Sequence, residues 1–423
     1  MRFDVILVGG GLSSLVCGIK LQKAGKKCLM VSSGQNALHF SSGSLGLLGN
    51  LPDGTEVEEP VSAMETLPPE HPYSKIGKQR FSEYAASAQG FFSQCGISLH
   101  SVSPEASGEG SVRNGYRITA LGTMKPAWLA MDEVTLLASK DERIGKNALV
   151  VNFTGFLDFN TRFIVEGLEK KGVECRIESV GLEEIEILRK NPAEMRSVNI
   201  ARVMNREASW KGFAHRIQEL LDGEDVVVIP EVFGFEDPVI IRWLREMIPA
   251  KVLFIGTTPP SVPGIRTQRA LKRAFESLGG TFLMGDEALD PVFAGERVAS
   301  IRTANLGGIR IEAGDFVLAS GNLFGRGLVA RPDSVVEPVF GLDVEYPKER
   351  KDWYNEEFFA RQNYTGFGVR TNEAFNPLRN GKIVPNLYVI GSETGGCNPL
   401  SEGSGAGVSI MTAFSAADRI IGR

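Results

Sequence analysis

Gly9, Gly11 and Ser14 stand in the order Gly-x-Gly-x-x-Ser, with Gly18 four residues further on. The chemistry that this spacing offers is anion binding. A first residue without Cβ lets a strand turn sharply into a helix. The second lets a pyrophosphate reach the backbone, whose free N–H groups and helix dipole hold it. The third position is normally Gly or Ala for close helix–strand packing, and here it is Ser14. A Gly-rich turn with no ligand is the bland alternative, and the flanking elements argue against it. Phe3 to Val8 is apolar apart from Asp4, as in a buried strand. Leu12, Leu15, Val16 and Ile19 then recur at helical spacing, Gly25 gives the stop, and Cys28 to Val31 reads as the next strand. That is the context which the motif requires.

Dinucleotide-binding folds also place an Asp or Glu about 20 residues on, to grip the adenosine ribose. The second strand here ends Val31-Ser32-Ser33-Gly34 and offers no carboxylate. Ser33 still supplies a hydroxyl for a ribose, but the departure leaves room for a mononucleotide.

A second glycine constellation lies near the other end of the chain. Asn386 to Gly391 reads as a strand, followed by Gly395 and Gly396, and then by Glu402, Gly403, Gly405 and Gly407 opening a last helix. Many flavoproteins resemble this arrangement, with the helix N-terminus directed at the flavin pyrimidine. Unpaired helix N–H groups there stabilise the negative charge that reduction places along N1 and C2=O. Asp315 to Gly321 (DFVLASG) resembles the strand-to-glycine segment of the same proteins.

Around these motifs the chain resembles one family in particular. The stretch Ala37-Leu-His39-Phe-Ser41-Ser42-Gly43-Ser44, Leu157-Asp158-Phe159, Pro259-Pro260-Ser261-Val-Pro-Gly264-Ile-Arg266 and the C-terminal Gly395-Gly396 and Ser401-Glu402-Gly403 segments are similar to the B subunit of anaerobic glycerol-3-phosphate dehydrogenase. The resemblance spans nearly the whole chain. It implies FMN as cofactor, with FAD as the alternative. It also implies a complex with two partners, a catalytic flavoprotein subunit plus an iron–sulfur subunit. That complex oxidises sn-glycerol 3-phosphate, a small phosphorylated substrate, to dihydroxyacetone phosphate and passes electrons to quinone.

Cofactor contacts are expected from Gly9, Gly11, Ser14, Ser33, His39, Ser41, Ser42, Gly43, Gly321, Gly391, Glu402, Gly403 and Gly405. His39 reads either as a group near the flavin or as an ordinary loop histidine, and the serines either as ribityl contacts or as loop chemistry. Arg266, Arg269, Lys272 and Arg273 open one expected helix. A solvated helix face is their bland reading, and Arg266, beside the Pro-rich loop, is the one that suits a substrate phosphate. His39 and Arg266 are the weak catalytic candidates, since no paired acid and base stands at a motif position. Cys397 lies in the C-terminal glycine loop without a resolving partner.

The elements that must position these residues follow from the rest of the chain. Its 423 residues allow two or three domains, or one domain carrying large insertions; 43% are apolar and 23% charged, and the net charge of -5 with scattered Lys and Arg excludes a nucleic-acid footprint. Cys17, Cys28, Cys95, Cys175 and Cys397 form no CxxC pair, so neither an iron–sulfur cluster nor another metal site is expected. No signal peptide and no membrane-spanning run is read, which fits a cytoplasmic protein whose membrane association is at most peripheral, and the family resemblance implies a place on the inner face of the membrane through its partners. The expected fold is α/β: an FAD/NAD(P)-binding, Rossmann-like flavoprotein fold with an inserted middle domain. Residues 1–79, 246–334 and 374–423 are assigned to flavin binding, 80–245 to an inserted capping or substrate domain, and 335–373 to a second insertion. A second β-α-β is read over 251–284. The rival functional reading is a non-catalytic, flavoprotein-like scaffold that joins a catalytic partner to the complex, motivated by Ser14 and the missing ribose carboxylate.

Overall fold

The computed structural model describes residues 1–102 and 112–423; residues 103–111, within the expected insert, lie outside it. The apolar run at the N-terminus forms β1 (Arg2–Val8), buried from Val5 to Val8, and the turn at Gly9 to Gly11 leads into α1 (Leu12–Lys23). β2 (Cys28–Ser32) runs parallel to β1, pairing Val5 with Cys28 and Val8 with Val31. Strand Thr281–Met284 lies parallel outside β2. On the other side of β1, strand Ile311–Leu318 is parallel to it, and Leu387–Val389 is parallel beyond that. An antiparallel hairpin, Ala288–Ala294 with Arg297–Thr303, completes the sheet. Val8, Ser32, Leu318 and Val389 therefore end at one carboxyl edge, where open α/β sheets bind ligands.

α1 packs Leu15, Val16 and Ile19 into a core shared with the last helix (Gly405–Ile421) and with Leu271 and Phe275 of helix Val262–Ser277. Gly18 is required by that packing: a Cβ there would come within 2.8 Å of the Phe275 ring.

A second, wholly parallel sheet orders its strands Lys251–Ile255, Val226–Pro230, Asn147–Phe153, Glu174–Val180 and has its own core. This corrects two expectations. Lys251–Ile255 hydrogen-bonds in the second sheet, so residues 251–284 are not a β-α-β of one sheet; helix Val262–Ser277 crosses between the two cores. Helix Lys78–Gln94, assigned to the insert, instead sets Tyr84 and Phe91 against Phe414 of the last helix. An apolar strand or face reads the same whichever sheet receives it, which is why the boundaries at 79 and 246 do not coincide with the sheets. Residues 335–373 lie against the first sheet through Phe340, Trp353 and Phe367, packed with Phe316. No helix among the described residues is long and apolar enough to cross a membrane.

Candidate cofactor cleft

The start of α1 is built to receive an anion. Gly11 is its N-cap in extended backbone, no side chain caps it, and its first turn holds no acidic residue. The first N–H groups are thus left for a ligand. Gly9 has φ +115°, and a Cβ there would come 2.1 Å from the Ala319 carbonyl oxygen. At Gly11 a Cβ would meet nothing closer than Asn36 Cβ at 4.0 Å, so the backbone is open to approach on that side. Asn36 fixes the facing loop, donating from Nδ2 to the Gly10 carbonyl at 2.7 Å and accepting from the Leu38 N–H at 3.0 Å. Ser14 is fully buried, and its Oγ has no hydrogen-bond partner among the described residues. An orphaned hydroxyl costs stability unless something satisfies it, which fits a phosphate-bearing group in this turn.

The last helix begins in the same way. Its N-cap, Ser404, makes no side-chain cap, and its first turn, from Gly405, carries no acidic residue. The start of α1 and the second turn of the last helix meet at Gly391, whose φ of +74° favours glycine. A Cβ on Gly391 would lie 2.1 Å from Ser13 Oγ on α1 and 3.6 Å from Ser409 Oγ on the last helix. The Gly391 N–H is tied to Thr412 Oγ1 at 2.9 Å. Neither helix start carries a side-chain cap, although the Gly46 carbonyl takes the Gly407 N–H of the last helix. One suits a phosphate and the other suits a heterocycle that gains negative charge on reduction.

Gly321, at the end of strand Ile311–Leu318, joins them through a residue that sequence reasoning missed. The Glu393 carboxylate is fully buried and accepts from the Ser320 N–H at 2.8 Å, Ser320 Oγ at 2.9 Å and the Gly321 N–H at 3.2 Å. Burial pushes its pKa well up, neighbouring Glu337 adds to that, and the three donors oppose both. A lone carboxylate between Gly391 and Gly395 was the signal for it in the sequence.

The Ser-rich loop lies across the start of the last helix. The Gly46 carbonyl accepts from the Gly407 N–H at 2.8 Å, and the N–H groups of Gly49 and Asn50 donate to the Glu402 carbonyl at 2.8 and 2.9 Å. His39 is turned outward from this contact: its Nε2 pairs with Gln268 Oε1 at 2.5 Å on helix Val262–Ser277. Ser41 caps the short turn before it, donating its N–H to the Leu38 carbonyl at 2.9 Å, and the Ser42 and Ser44 hydroxyls pair at 2.9 Å. Ser33 is exposed at the end of β2, while Ser32 Oγ is committed to the Gly34 carbonyl at 3.2 Å. Gly403, with φ +61°, ends the short helix Pro399–Glu402 and turns the chain toward Gly405.

Glu402 is a tether rather than a free ligand. Its carboxylate accepts from the Asn398 N–H at 2.8 Å, Ser404 Oγ at 2.9 Å and His71 Nε2 at 3.3 Å. Tyr73 N–H donates to His71 Nδ1 at 3.1 Å, so the ring proton sits on Nε2, facing the carboxylate. Burial pushes the Glu402 pKa up, but the His71, Asn398 and Ser404 donors win and hold it below the ordinary carboxylate value. A depressed folded pKa contributes stability that is complete above about pH 4.5, the unfolded value, and is lost as pH falls through the folded one. We expect His71→Ala to cost about 1.5–3 kcal/mol, the range for a hydrogen bond to a charged group. Its acid unfolding midpoint should move to higher pH, and a Tm and acid midpoint equal to wild type would remove this role for His71.

Beside Glu402 a cleft of about 690 Å³ runs between Pro68 and Glu70, Glu345 to Pro347, Asn363 to Phe367, and Gly396 to Asn398, a volume suited to a small molecule. Cys397 lines it, and burial pushes its thiol well above the ordinary value, which disfavours the thiolate. Arg266 is far from a free phosphate ligand: it is nearly buried, ion-paired with Glu133 and bonded to the Gly234 carbonyl. Among the described residues no cluster of three His, Cys, Asp or Glu is placed to hold a metal.

With this geometry in hand, comparison with known proteins gives a consistent result. Residues 4–408 match the family described as FAD binding domain. The B subunit of anaerobic glycerol-3-phosphate dehydrogenase from Yersinia enterocolitica is 39% identical over 425 residues, covering 100% of this chain and 98% of that one. The B subunits from Pectobacterium atrosepticum, 37% identical with 100% and 99% covered, and from Aliivibrio fischeri, 34% identical with 100% and 96% covered, are similar too. The chain is a flavin-binding oxidoreductase domain and belongs to the family of anaerobic glycerol-3-phosphate dehydrogenase B subunits.

Proposed function

We propose that this protein is the flavin-carrying subunit of a multi-subunit glycerol-3-phosphate dehydrogenase. It works with a catalytic flavoprotein partner and with an iron–sulfur partner in the oxidation of sn-glycerol 3-phosphate to dihydroxyacetone phosphate. Electrons pass on to quinone, and the protein is held at the inner face of the membrane through those partners. The observation that carries the reading is the packing of α1 and the last helix, both without a side-chain cap, on either side of Gly391. A bound flavin supplies hydride acceptance and one-electron transfer. The protein's part is to hold the phosphate at Gly11 and Ser14 and to present the Gly405 helix end to the ring.

The flavin we propose is FMN. The family match is to an FAD-binding domain, and the turn of α1, shaped for a pyrophosphate, also favours FAD; the case for FMN comes from the family resemblance and the adenosine end. At the adenosine end Ser32 is committed to Gly34, and the nearby Asp286 accepts from the N–H groups of Glu287 and Asn305 through one oxygen, Oδ1. β2 itself ends in Ser32 and Ser33, without the carboxylate that grips a ribose, and the loss of one charged hydrogen bond is worth about 1.5–3 kcal/mol of FAD affinity.

One preparation tests both statements. The isolated protein should carry about one FMN per chain by mass spectrometry. It should reduce a dye with glycerol 3-phosphate slowly or not at all, and gain activity on addition of its partner subunits. Stoichiometric FAD would overturn the flavin identity, rapid turnover by the isolated chain would overturn the relay role, and absence of any flavin would favour the scaffold.

A further inference from the structure

The second parallel sheet has a carboxyl edge of its own. Its strands reverse direction of winding between Asn147–Phe153 and Val226–Pro230, which is the switch point where open α/β sheets form a ligand crevice. Glu231 is the first residue past Val226–Pro230, at that point. It is 3% exposed, and neither of its carboxylate oxygens makes a hydrogen bond among the described residues, Oε1 being fully enclosed. A side chain on the neighbouring strand end, at Gly256, would meet only Glu231 Oε2 within 4 Å, in ordinary van der Waals contact at 3.7 Å.

Arg117 and Arg266 are the cations whose fields reach Glu231, with Glu133 opposing them. Arg266 is neutralised by Glu133, whereas the half-buried Arg117 guanidinium makes no hydrogen bond or ion pair among the described residues. A buried carboxyl group and a guanidinium, both without partners, are a costly pair to maintain, and such groups cluster at binding sites. The crevice also adjoins the cofactor cleft. Gly43 of the Ser-rich loop packs on Glu231, with a Cβ there falling 3.3 Å from Oε1, and three residues later Gly46 accepts from Gly407 of the last helix.

We propose that this crevice binds a small hydroxylated phosphate monoester, with the Arg117 guanidinium on the phosphate and the Glu231 carboxyl group on a hydroxyl. The proposal rests on the function given above and adds that this chain itself holds substrate. Guanidinium matches a phosphate bidentately, and a buried carboxyl group selects a ligand bearing a hydroxyl.

Calorimetric titration of the flavin-loaded protein tests it, with sn-glycerol 3-phosphate, inorganic phosphate and glycerol as separate probes. Glycerol 3-phosphate should bind wild type. Arg117→Ala should weaken it at least thirtyfold, with partial rescue in Arg117→Lys. Glu231→Ala should weaken glycerol 3-phosphate about tenfold but leave inorganic phosphate unchanged. Flavin content and circular dichroism should match wild type in all three variants. Equal affinity in Arg117→Ala, or no binding by wild type, overturns the proposal. Because flavin content and activity with the partner subunits are read separately, that failure would leave the broader function standing.

Discussion

Gly11→Asp should lose its flavin while remaining as stable as wild type, or slightly more stable. The two effects have opposite signs because they come from different properties of one position. Gly11 has φ -83° and ψ -172°, a conformation open to any residue, and a Cβ there would find its nearest neighbour at 4.0 Å. Asp is also a better N-cap than Gly by a few tenths of a kcal/mol, since its carboxylate can accept from the free N–H groups of α1. Those N–H groups are the ones that a phosphate needs. The mutant carboxylate would occupy them and repel the ligand, so flavin affinity should fall at least a hundredfold, about 2.7 kcal/mol. Visible absorbance of the purified protein reads the flavin, and thermal unfolding of the flavin-free form reads the fold. A soluble variant that keeps a full complement of flavin would show that the phosphate lies elsewhere.

Such a clean separation was legible in the sequence only for the first 32 residues. There a buried strand, a glycine turn and an amphipathic helix are local features, and each is written in consecutive residues. Local signals could not place Lys251–Ile255, because a fully buried parallel strand is an apolar run in either sheet. Nor could they show that Arg266 is spent. Its cationic character is visible, but its partner Glu133 lies 133 residues away. His71 and Glu402 are separated by 331 residues, and neither stands in a motif that announces the other. Glu393 and Glu231 were passed over for the same physical reason. A carboxylate in a sequence is ordinary, and what makes these two notable is burial, which only the tertiary fold supplies. The glycines at both chain ends were read as expected ligand turns, yet the meeting of α1 and the last helix at Gly391 is a property of how the two pack.

That meeting is the basis for the second large effect. Gly391→Ala should damage fold and cofactor together, unlike Gly11→Asp. At φ +74° a residue with Cβ is strained by about 1–3 kcal/mol. The added methyl would also lie 2.1 Å from Ser13 Oγ and 3.1 Å from Ser13 Cβ. The hydroxyl can rotate away, but Cβ cannot, so α1 must shift against the last helix, at a further cost of about 1–3 kcal/mol. A shift of α1 moves the Gly11 turn relative to Gly405, so flavin retention should drop along with Tm. Adding Ser13→Gly separates the two causes, since it removes the steric contact but leaves the backbone strain. The double variant should recover part of the Tm and most of the flavin. A Gly391→Ala protein with wild-type Tm and full flavin would show that the two helix starts do not depend on this glycine for their alignment.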